Sequence, residues 1–304
     1  MSSFVIHGLC AATHTPFAAD GSLNLSAVEK QRDHLLGRKV NQVFIGGSTG
    51  ESHSVSTAER LALAERWMAV AKGTELRVIV HVGSNNLRDA AELAAHAQKI
   101  GAAATSMLSP SYFKPRSLAD LISCCEMVAK AAPALPFYYY DIPVLTGVNF
   151  SMEEFLNTAP ARIPNLAGIK YTNPDLMAYQ LALRGGNGKF DLPWGCDEFF
   201  LAALALGAKG AVGSTFNFAP GIYQRLHKAF AAGDVATAQA EQFRSVQLVQ
   251  VVAKRGYMGC AKALMAHLGV PVGPARLPNA NPDAAAVKAM LSELEAIGYF
   301  SWKD

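Results

Sequence analysis

A lysine lies within an apolar run of this sequence, where an unpaired charge would be costly. Lys170 occurs in Leu166-Ala167-Gly168-Ile169-Lys170-Tyr171-Thr172, which has the composition of a buried strand. Lysine is almost never fully buried without a partner or a task. Burial disfavours the ammonium form, and the neutral amine is a nucleophile that can form a Schiff base with a carbonyl compound. The alternative is a lysine whose stem packs while its ammonium group reaches solvent.

A tyrosine near the end of another β-rich run is the second candidate. In Phe137-Tyr138-Tyr139-Tyr140-Asp141-Ile142-Pro143 the alternation of a strand places Tyr138 and Tyr140 on one face, and Tyr140 is nearer the end. Most strand tyrosines are core residues. A phenol beside a reactive amine can instead carry protons. The pairing of Tyr140 with Lys170 therefore favours catalysis over simple packing.

A glycine-rich turn carries two hydroxyl groups. The turn Gly46-Gly47-Ser48-Thr49-Gly50-Glu51 follows an apolar run, and its successive amides could form an anion-binding concavity with the hydroxyls of Ser48 and Thr49. No Gly-Lys-Ser/Thr sequence follows, so a carboxylate suits this turn better than a triphosphate. The alternative is a tight turn that precedes a helix cap.

Two adjacent carboxylates follow a further apolar run. Asp197 and Glu198 end the sequence Trp194-Gly195-Cys196-Asp197-Glu198. They can accept hydrogen bonds from the hydroxyls of a polyol, or they can complement the dipole of a helix that begins there. No histidine lies near them in the sequence, so we expect no metal at this position.

Three histidines lie near the ends of predicted strands, but their spacing matches no known catalytic pattern. His14, His53 and His81 fall near the ends of predicted strands but belong to no Ser-His-Asp or HExxH pattern. We expect them to be packed or exposed polar side chains.

These candidates must be positioned by a regular alternation of strands and helices. Eight β-rich runs, each followed by a segment with helical spacing, predict a (β/α)8 barrel rather than an open doubly wound sheet, since no GxGxxG sequence follows the first strand. Active sites of such barrels lie at the carboxyl ends of the strands. The predicted strands are 8–12, 42–46, 77–82, 102–108, 137–142, 166–171, 192–195 and 210–213.

The last part of the chain predicts helices around a proline-rich loop. Helical spacing covers 221–231, 235–253 and 284–297, and the loop is 271–282. No linker-like segment separates these helices from the strands. We therefore expect a barrel over residues 1–230 and a helical extension over 231–304 that form one structural unit.

Composition excludes several classes of protein. The 304 residues are 51% hydrophobic and 17% charged, which excludes a disordered chain. The net charge of +3 comes without runs of basic and aromatic residues, so nucleic acid is a poor partner. Five cysteines without metal-ligand spacing, no leader sequence and no apolar run longer than 199–208 indicate a cytoplasmic protein without a membrane anchor.

Taken together, the motifs resemble a known family. Gly46-Gly47-Ser48-Thr49-Gly50-Glu51, Tyr140 before Asp141-Ile142-Pro143, Gly168-Ile169-Lys170, Gly195-Cys196-Asp197-Glu198 and Gly213-Ser214-Thr215 resemble, in order and spacing, the N-acetylneuraminate lyase and dihydrodipicolinate synthase family. The resemblance implies a class I aldolase on a (β/α)8 barrel with a C-terminal helical extension. It also implies a homotetramer that uses pyruvate or a 2-keto sugar acid and needs no metal or organic cofactor.

The resemblance assigns roles to individual residues. Lys170 matches the amine that forms the iminium, and Tyr140 matches the proton relay. Ser48 and Thr49 match the pair that holds the pyruvyl carboxylate. Tyr112 matches a tyrosine that reaches across a subunit interface, although Ser111 stands before it where an aromatic residue is common in the family.

The residues around the second substrate favour the lyase branch of the family. Dihydrodipicolinate synthases resemble one another in an arginine at the position of Leu145, and an apolar side chain cannot bind a carboxylate bidentately. We therefore expect reversible cleavage of N-acetylneuraminate to N-acetylmannosamine and pyruvate. The residues that resemble the sugar-binding set are Thr172, Gly195, Asp197, Glu198, Gly213 and Ser214.

Three alternatives remain open from the sequence. Another pyruvate aldolase, acting on a deoxy sugar acid, would share Lys170, Tyr140, Ser48 and Thr49. A dihydrodipicolinate synthase would require a different carboxylate ligand in place of Leu145. A barrel retained only for ligand binding would not need an imine-forming amine.

Overall fold

Strands and helices alternate along the chain as the sequence predicts. The computed structural model describes residues 4–304. The strands are β1 Gly8–Ala12, β2 Gln42–Ile45, β3 Arg77–His81, β4 Ala104–Leu108, β5 Phe137–Asp141, β6 Leu166–Tyr171 and β7 Gly210–Gly213. The α-helices are α1 Ala27–Gly37, α2 Thr57–Ala71, α3 Leu87–Lys99, α4 Leu118–Ala129, α5 Pro143–Thr146, α6 Met152–Thr158, α7 Leu176–Arg184, α8 Phe200–Leu206, α9 Pro220–Ala231, α10 Val235–Ala253, α11 Tyr257–His267, α12 Ala284–Ala296 and α13 Tyr299–Trp302. Short 3-10 turns span Ser52–Ser54, Ala159–Ala161, Gly185–Gly188, Asp197–Phe199 and Thr215–Asn217.

The seven strands form one parallel sheet in the order β6-β5-β4-β3-β2-β1-β7. Successive strands are neighbours, and β7 pairs with β1. Side chains alternate between two apolar layers, because successive strand residues point to opposite faces. One layer fills the barrel and includes Phe44, Ile79, Tyr138 and Tyr140. The other lies between the strands and the surrounding helices, which is why the strands read as apolar on both faces.

The predicted strand 192–195 is the one element that does not form as a regular strand. It lies between β6 and β7 and makes only isolated bridges. On the β6 side, the amide of Ile169 donates to the carbonyl of Asp191 at 2.9 Å, and the amide of Tyr171 donates to that of Pro193 at 2.9 Å. Pro193 has no amide hydrogen to continue a ladder. Its presence is the physical reason for the irregular pairing.

The same segment also bonds to β7 and so closes the sheet into a barrel. The amide of Trp194 donates to the carbonyl of Gly210 at 3.0 Å, and the carbonyl of Trp194 accepts from the amide of Val212 at 2.8 Å. At the amino end of the segment, Asp191 Oδ2 accepts from the Tyr138 hydroxyl inside the barrel at 2.8 Å. The predicted eight-position (β/α)8 barrel is therefore confirmed, with an irregular segment in the seventh position.

The C-terminal helices pack on the barrel and include one that the sequence analysis did not predict. Helix α11 presents small or apolar residues on most of its buried surface, together with Lys262. Its buried face includes Gly259 and Lys262, and neither residue type is typical of a core helix. Within residues 4–304, no helix has both the length and the apolar composition needed to cross a bilayer.

Barrel closure predicts a strong effect of a single methyl group. A Cβ added at Gly168 would lie 1.7 Å from the carbonyl oxygen of Asp191, whereas one added at Gly37 would meet nothing within 4 Å. We expect Gly168→Ala to lower the free energy of unfolding by about 3 kcal/mol or more, because the closing segment must move away from β6. Urea denaturation measures this, and Gly37→Ala is the matched control, with an expected change below about 0.5 kcal/mol. Equal stability of the two variants would contradict the closure described above.

Candidate active site

Lys170 lies inside the carboxyl end of the barrel against two aromatic rings. Strand β5 pairs with β6 so that Tyr140 is opposite Lys170. The Lys170 Nζ is 3.6 Å from the centroid of the Tyr140 ring and 5.1 Å from that of Phe44. Lys170 is only 4% exposed, so its ammonium group does not simply extend into solvent. No carboxylate of residues 4–304 forms an ion pair with it. The amine is therefore buried without a structural partner, as a nucleophile requires.

The glycine-rich turn brings a hydroxyl to the same place. Ser48 Oγ lies 3.3 Å from the Tyr140 hydroxyl. The turn begins at Gly46, whose φ of +64° lies in the left-handed region. A Cβ at Gly50 would be 3.0 Å from the backbone of Gly46, so the turn folds tightly on itself. Thr49 is half-buried beside Ser48. The structure thus brings Ser48, Tyr140 and Lys170 together.

The predicted sugar-binding residues begin at the end of β6. The hydroxyl of Thr172 is buried and has no hydrogen-bond partner among the residues that the structure describes. Gly195 leaves room for it, since a Cβ there would be 1.9 Å from Thr172 Oγ1. The amide of Gly195 donates to the carbonyl of Tyr171 at 2.8 Å. A buried hydroxyl without a partner is costly unless a ligand completes its hydrogen bonds.

Asp197 has a protein partner that the sequence did not suggest. Its Oδ2 accepts from the amide of Thr215 at 2.9 Å and from the Thr215 hydroxyl at 2.6 Å. Burial raises the pKa of Asp197 to about 6, and the hydrogen bonds from Thr215 oppose this rise. Gly213 leaves room for the other oxygen, because a Cβ there would be 2.2 Å from Asp197 Oδ1. Asp197 therefore joins the seventh position of the barrel to β7 while one oxygen remains available to a ligand.

The rest of this set lies along the same rim. Glu198 is half-buried. The hydroxyl of Ser214 is 2.6 Å from that of Tyr257, the first residue of α11. Tyr257 is a site residue that the sequence analysis missed, because nothing in the sequence predicts that α11 reaches the carboxyl end of the barrel.

Tyr112 is the predicted site residue that the single chain does not bring into this group. Its side chain is 79% exposed, and its ring packs edge-on against Phe113 with centroids 5.0 Å apart. It makes no hydrogen bond to Ser48 or Tyr140 within residues 4–304. A role for Tyr112 therefore requires a second subunit and stays a prediction.

The turn that carries Ser48 is held from outside by the C-terminal extension. Glu51 is in the left-handed region at φ 55°, and its carboxylate forms an ion pair with Lys262 of α11 at 2.6 Å. Both side chains are at most 1% exposed. Lys262 Nζ also donates to the carbonyls of Thr15 and Pro274, each at 2.9 Å. Burial lowers the pKa of Lys262, and the Glu51 carboxylate opposes this.

Of two cavities in the structure, the smaller is the one that adjoins the candidate catalytic residues. The larger cavity, of about 870 Å³, lies at the amino ends of the strands, with Arg77 and Leu166 in its wall. A smaller one, of about 220 Å³, adjoins Ser48, Glu51 and Leu145 at the carboxyl ends. Only the second lies beside the reactive residues, at the end of the barrel where active sites of this fold occur.

The sequence and the structure are both similar to those of known proteins. A profile of the dihydrodipicolinate synthetase family matches residues 5–297. The chain belongs to this family. Membership confirms the family resemblance of the motifs.

Relatives within the family are similar over nearly the whole chain. N-acetylneuraminate lyase of Gallus gallus is 39% identical over 303 residues, which cover 98% of this chain and 97% of that protein. The structure of Proteus mirabilis N-acetylneuraminate lyase superposes with a TM-score of 0.94 at 37% identity, covering 97% of this chain and 100% of that one. A catalytic lysine mutant of Ruminococcus gnavus sialic acid aldolase gives a TM-score of 0.88 at 25% identity, covering 97% of each chain.

Asp141, beside Tyr140, predicts a dependence of stability on pH. It is 1% exposed, and burial raises its pKa to about 7, a rise that the Asn173 side chain only partly opposes. The folded state therefore binds the proton more tightly than the unfolded state, so stability is lost as the pH rises from about 4 to about 7. We expect Asp141→Asn to become more stable relative to the parent over this range, by up to roughly 4 kcal/mol.

Urea denaturation at pH 4.5, 6 and 8 measures this difference. Asp20→Asn is the control, because hydrogen bonds from Ser22 lower the pKa of this exposed carboxyl and reverse the sign of any effect. A difference between Asp141→Asn and the parent that does not change with pH would contradict the prediction.

Proposed function

We propose that this protein is an N-acetylneuraminate lyase that reversibly cleaves N-acetylneuraminate to N-acetylmannosamine and pyruvate. The observation that carries the proposal is the buried, unpaired amine of Lys170 opposite Tyr140. The names of the Gallus gallus and Proteus mirabilis relatives support the substrate. The catalytic lysine named for the Ruminococcus gnavus relative supports Schiff-base chemistry.

In the first half of the proposed reaction, the open-chain keto sugar acid becomes bound to the enzyme covalently. The neutral Lys170 amine attacks the C2 keto carbon and passes one of its protons to the former keto oxygen. Tyr140 donates a second proton to that oxygen, which leaves as water while Tyr140 becomes a phenolate. The amides and hydroxyls of the Ser48-Thr49 turn hold the substrate carboxylate. The product of this half is an iminium, which is the electron sink for the bond that breaks next.

In the second half, the carbon-carbon bond breaks and the amine is recovered. The Tyr140 phenolate accepts the proton of the C4 hydroxyl, and the electrons of the C3–C4 bond move into the iminium. N-acetylmannosamine leaves, and an enamine of pyruvate remains on Lys170. Tyr140 returns the proton to C3. Water then adds to the iminium and gives one proton back to the Tyr140 phenolate, and pyruvate is released with recovery of the neutral Lys170 amine. No metal or organic cofactor takes part in these steps.

The remainder of the sugar would bind along the rim of Thr172, Asp197, Glu198 and Ser214. The unpartnered Thr172 hydroxyl and the second oxygen of Asp197 suit the hydroxyl groups of a polyol. Leu145 is 61% exposed at the mouth and offers no charge to a second carboxylate. This argues against aspartate semialdehyde as substrate. A deoxy sugar acid is the second candidate, since the same residues would accept its hydroxyls.

The assembly and the location are part of the same proposal. Tyr112, Val144 and Leu145 are 79%, 81% and 61% exposed near the site. A second copy that covers these apolar groups, within a homotetramer, would explain why they lie on the surface. The five free thiols support a reducing, cytoplasmic location. Within residues 4–304 the barrel and the C-terminal extension form one structural unit, which the buried Glu51–Lys262 pair supports.

Borohydride trapping with N-acetylneuraminate tests the function. Reduction should leave a pyruvate-sized adduct on Lys170, found by intact mass and peptide mapping, because this sugar yields such an adduct only after its carbon-carbon bond is cut. Lys170→Ala should give no adduct and no measurable cleavage. Labelling by pyruvate but not by the sugar would show that the substrate is wrong, and a Lys170→Ala enzyme with normal turnover would overturn the Schiff-base proposal.

Removal of the Tyr140 hydroxyl should slow cleavage of the carbon-carbon bond more than it impairs trapping of the imine. We expect Tyr140→Phe to keep the aromatic ring over Lys170 and still be trapped with pyruvate, but to cleave the sugar about 100-fold more slowly or worse. Tyr139→Phe is the matched control, because that residue points into the outer layer against Phe155. Steady-state rates of sugar cleavage measure this effect. An equal decrease in the cleavage rate of the two variants would exclude a special role for Tyr140.

A further inference from the structure

A fully buried histidine lies between the carboxylate-binding turn and the proposed proton relay. His81, the last residue of β3, is 1% exposed. Its Nδ1 is 2.9 Å from the carbonyl oxygen of Gly46, where the turn to Ser48 begins. Its ring packs perpendicular to that of Tyr140, with centroids 5.8 Å apart. The proposed reaction uses neither ring nitrogen of His81.

The neighbours of His81 select one tautomer. The Gly46 carbonyl can only accept, so Nδ1 must carry the hydrogen. The amide of Leu108 points at Nε2 at 3.4 Å, so Nε2 is the acceptor. The imidazole is therefore neutral, with Nδ1–H aimed at the turn. Burial, together with the charge of Arg60, holds the pKa of His81 well below its usual range.

Adjacent groups hold the histidine itself in place. Arg60 donates to the carbonyl of His81 at 2.7 Å and to that of Gly83 at 2.8 Å. A Cβ at Gly83 would lie 2.8 Å from His81 Nε2, so only glycine leaves room for this ring. The Phe44 ring also packs against His81, with centroids 5.8 Å apart. This surrounding leaves the ring little freedom.

Both elements that His81 contacts meet at the reacting group. The turn from Gly46 carries Ser48, whose hydroxyl is 3.3 Å from that of Tyr140. Tyr140 in turn lies over Lys170 Nζ at 3.6 Å. A displacement of His81 would therefore change the distance between the carboxylate subsite and the proton relay.

We propose that His81 is a positioning residue with two separable contributions. Its Nδ1–H bond to Gly46 sets the turn that binds the keto-acid carboxylate, and its ring sets the orientation of the Tyr140 phenol. The proposal rests on the proposed function, since it concerns the pyruvate half of the same site. It assigns His81 no proton transfer of its own.

Two substitutions separate the contributions. His81→Phe keeps a planar ring against Tyr140 but removes the Nδ1–H donor. His81→Asn keeps a donor at the place of Nδ1 but removes most of the ring. The control is His14→Phe, because His14 is also fully buried while both of its ring nitrogens lack partners among the described residues.

Pyruvate alone serves as the probe. The pyruvate concentration that half-saturates borohydride trapping reports carboxylate binding. The maximal rate at which the methyl protons of pyruvate exchange with deuterium, followed by NMR, reports proton transfer through the enamine. Neither measurement depends on the identity of the sugar, so failure of N-acetylneuraminate as substrate would leave this test intact.

We expect each of the two variants to change a different one of these two quantities. His81→Phe should raise the half-saturating pyruvate concentration about tenfold, the effect of one buried hydrogen bond, with the maximal exchange rate within about threefold of the parent. His81→Asn should restore the half-saturating concentration but lower the maximal exchange rate about tenfold. His14→Phe should change neither. The pH profile of exchange should keep its shape in every variant, because His81 is neutral throughout.

Other results would overturn the inference. Parent-like binding and exchange in His81→Phe would show that the Gly46 bond is unimportant. Equal losses of both quantities in His81→Phe and His81→Asn would indicate general destabilisation, which thermal unfolding checks independently. If the parent enzyme does not trap pyruvate at all, the proposed function fails, and the role of His81 fails with it.

Discussion

Closure of the sheet is the constraint on which the arrangement of the site depends. A parallel sheet that is buried on both faces cannot leave an unpaired edge inside the protein. Here the irregular segment around Pro193 supplies the last position and hydrogen bonds to both β6 and β7. Because the ring of strands is complete, β5 and β6 stay in the register that places Tyr140 beside Lys170. The same closure brings Asp197 to Thr215 at the rim.

Two buried lysines show how surroundings separate a reactive group from a structural one. Lys262 has a carboxylate at 2.6 Å and two carbonyl acceptors, so its charge is compensated and its position is fixed. Lys170 is also buried and, like Lys262, lies over an aromatic ring, but it forms no ion pair with any residue that the structure describes. The residue type is identical at both positions. What differs is whether the protein or a substrate completes the bonding of the amine.

The sequence indicates those features that depend on local pattern. Strand alternation places Tyr140 and Lys170 on the inner face, and the glycine spacing of residues 46–51 indicates the turn beside them. Features that depend on contacts between residues far apart in the sequence could not be predicted from it. Thr215 as the partner of Asp197, Tyr257 beside Ser214 and His81 beneath Gly46 are each created by packing between elements. Helix α11 was missed because Gly259 and Lys262 lie on its buried face, where a core helix normally has apolar residues.

The Glu51–Lys262 pair also ties the site to the order in which the chain is made. During translation, Glu51 is added to the chain more than two hundred residues before Lys262, the lysine that neutralises it. Until then a carboxylate that ends at most 1% exposed has no cationic partner from α11, and burying it alone would be costly. The turn that carries Ser48 can thus reach its final shape only after most of the nascent chain has emerged. The carboxylate-binding turn that carries Ser48 therefore depends on a helix that is synthesised much later than the turn itself.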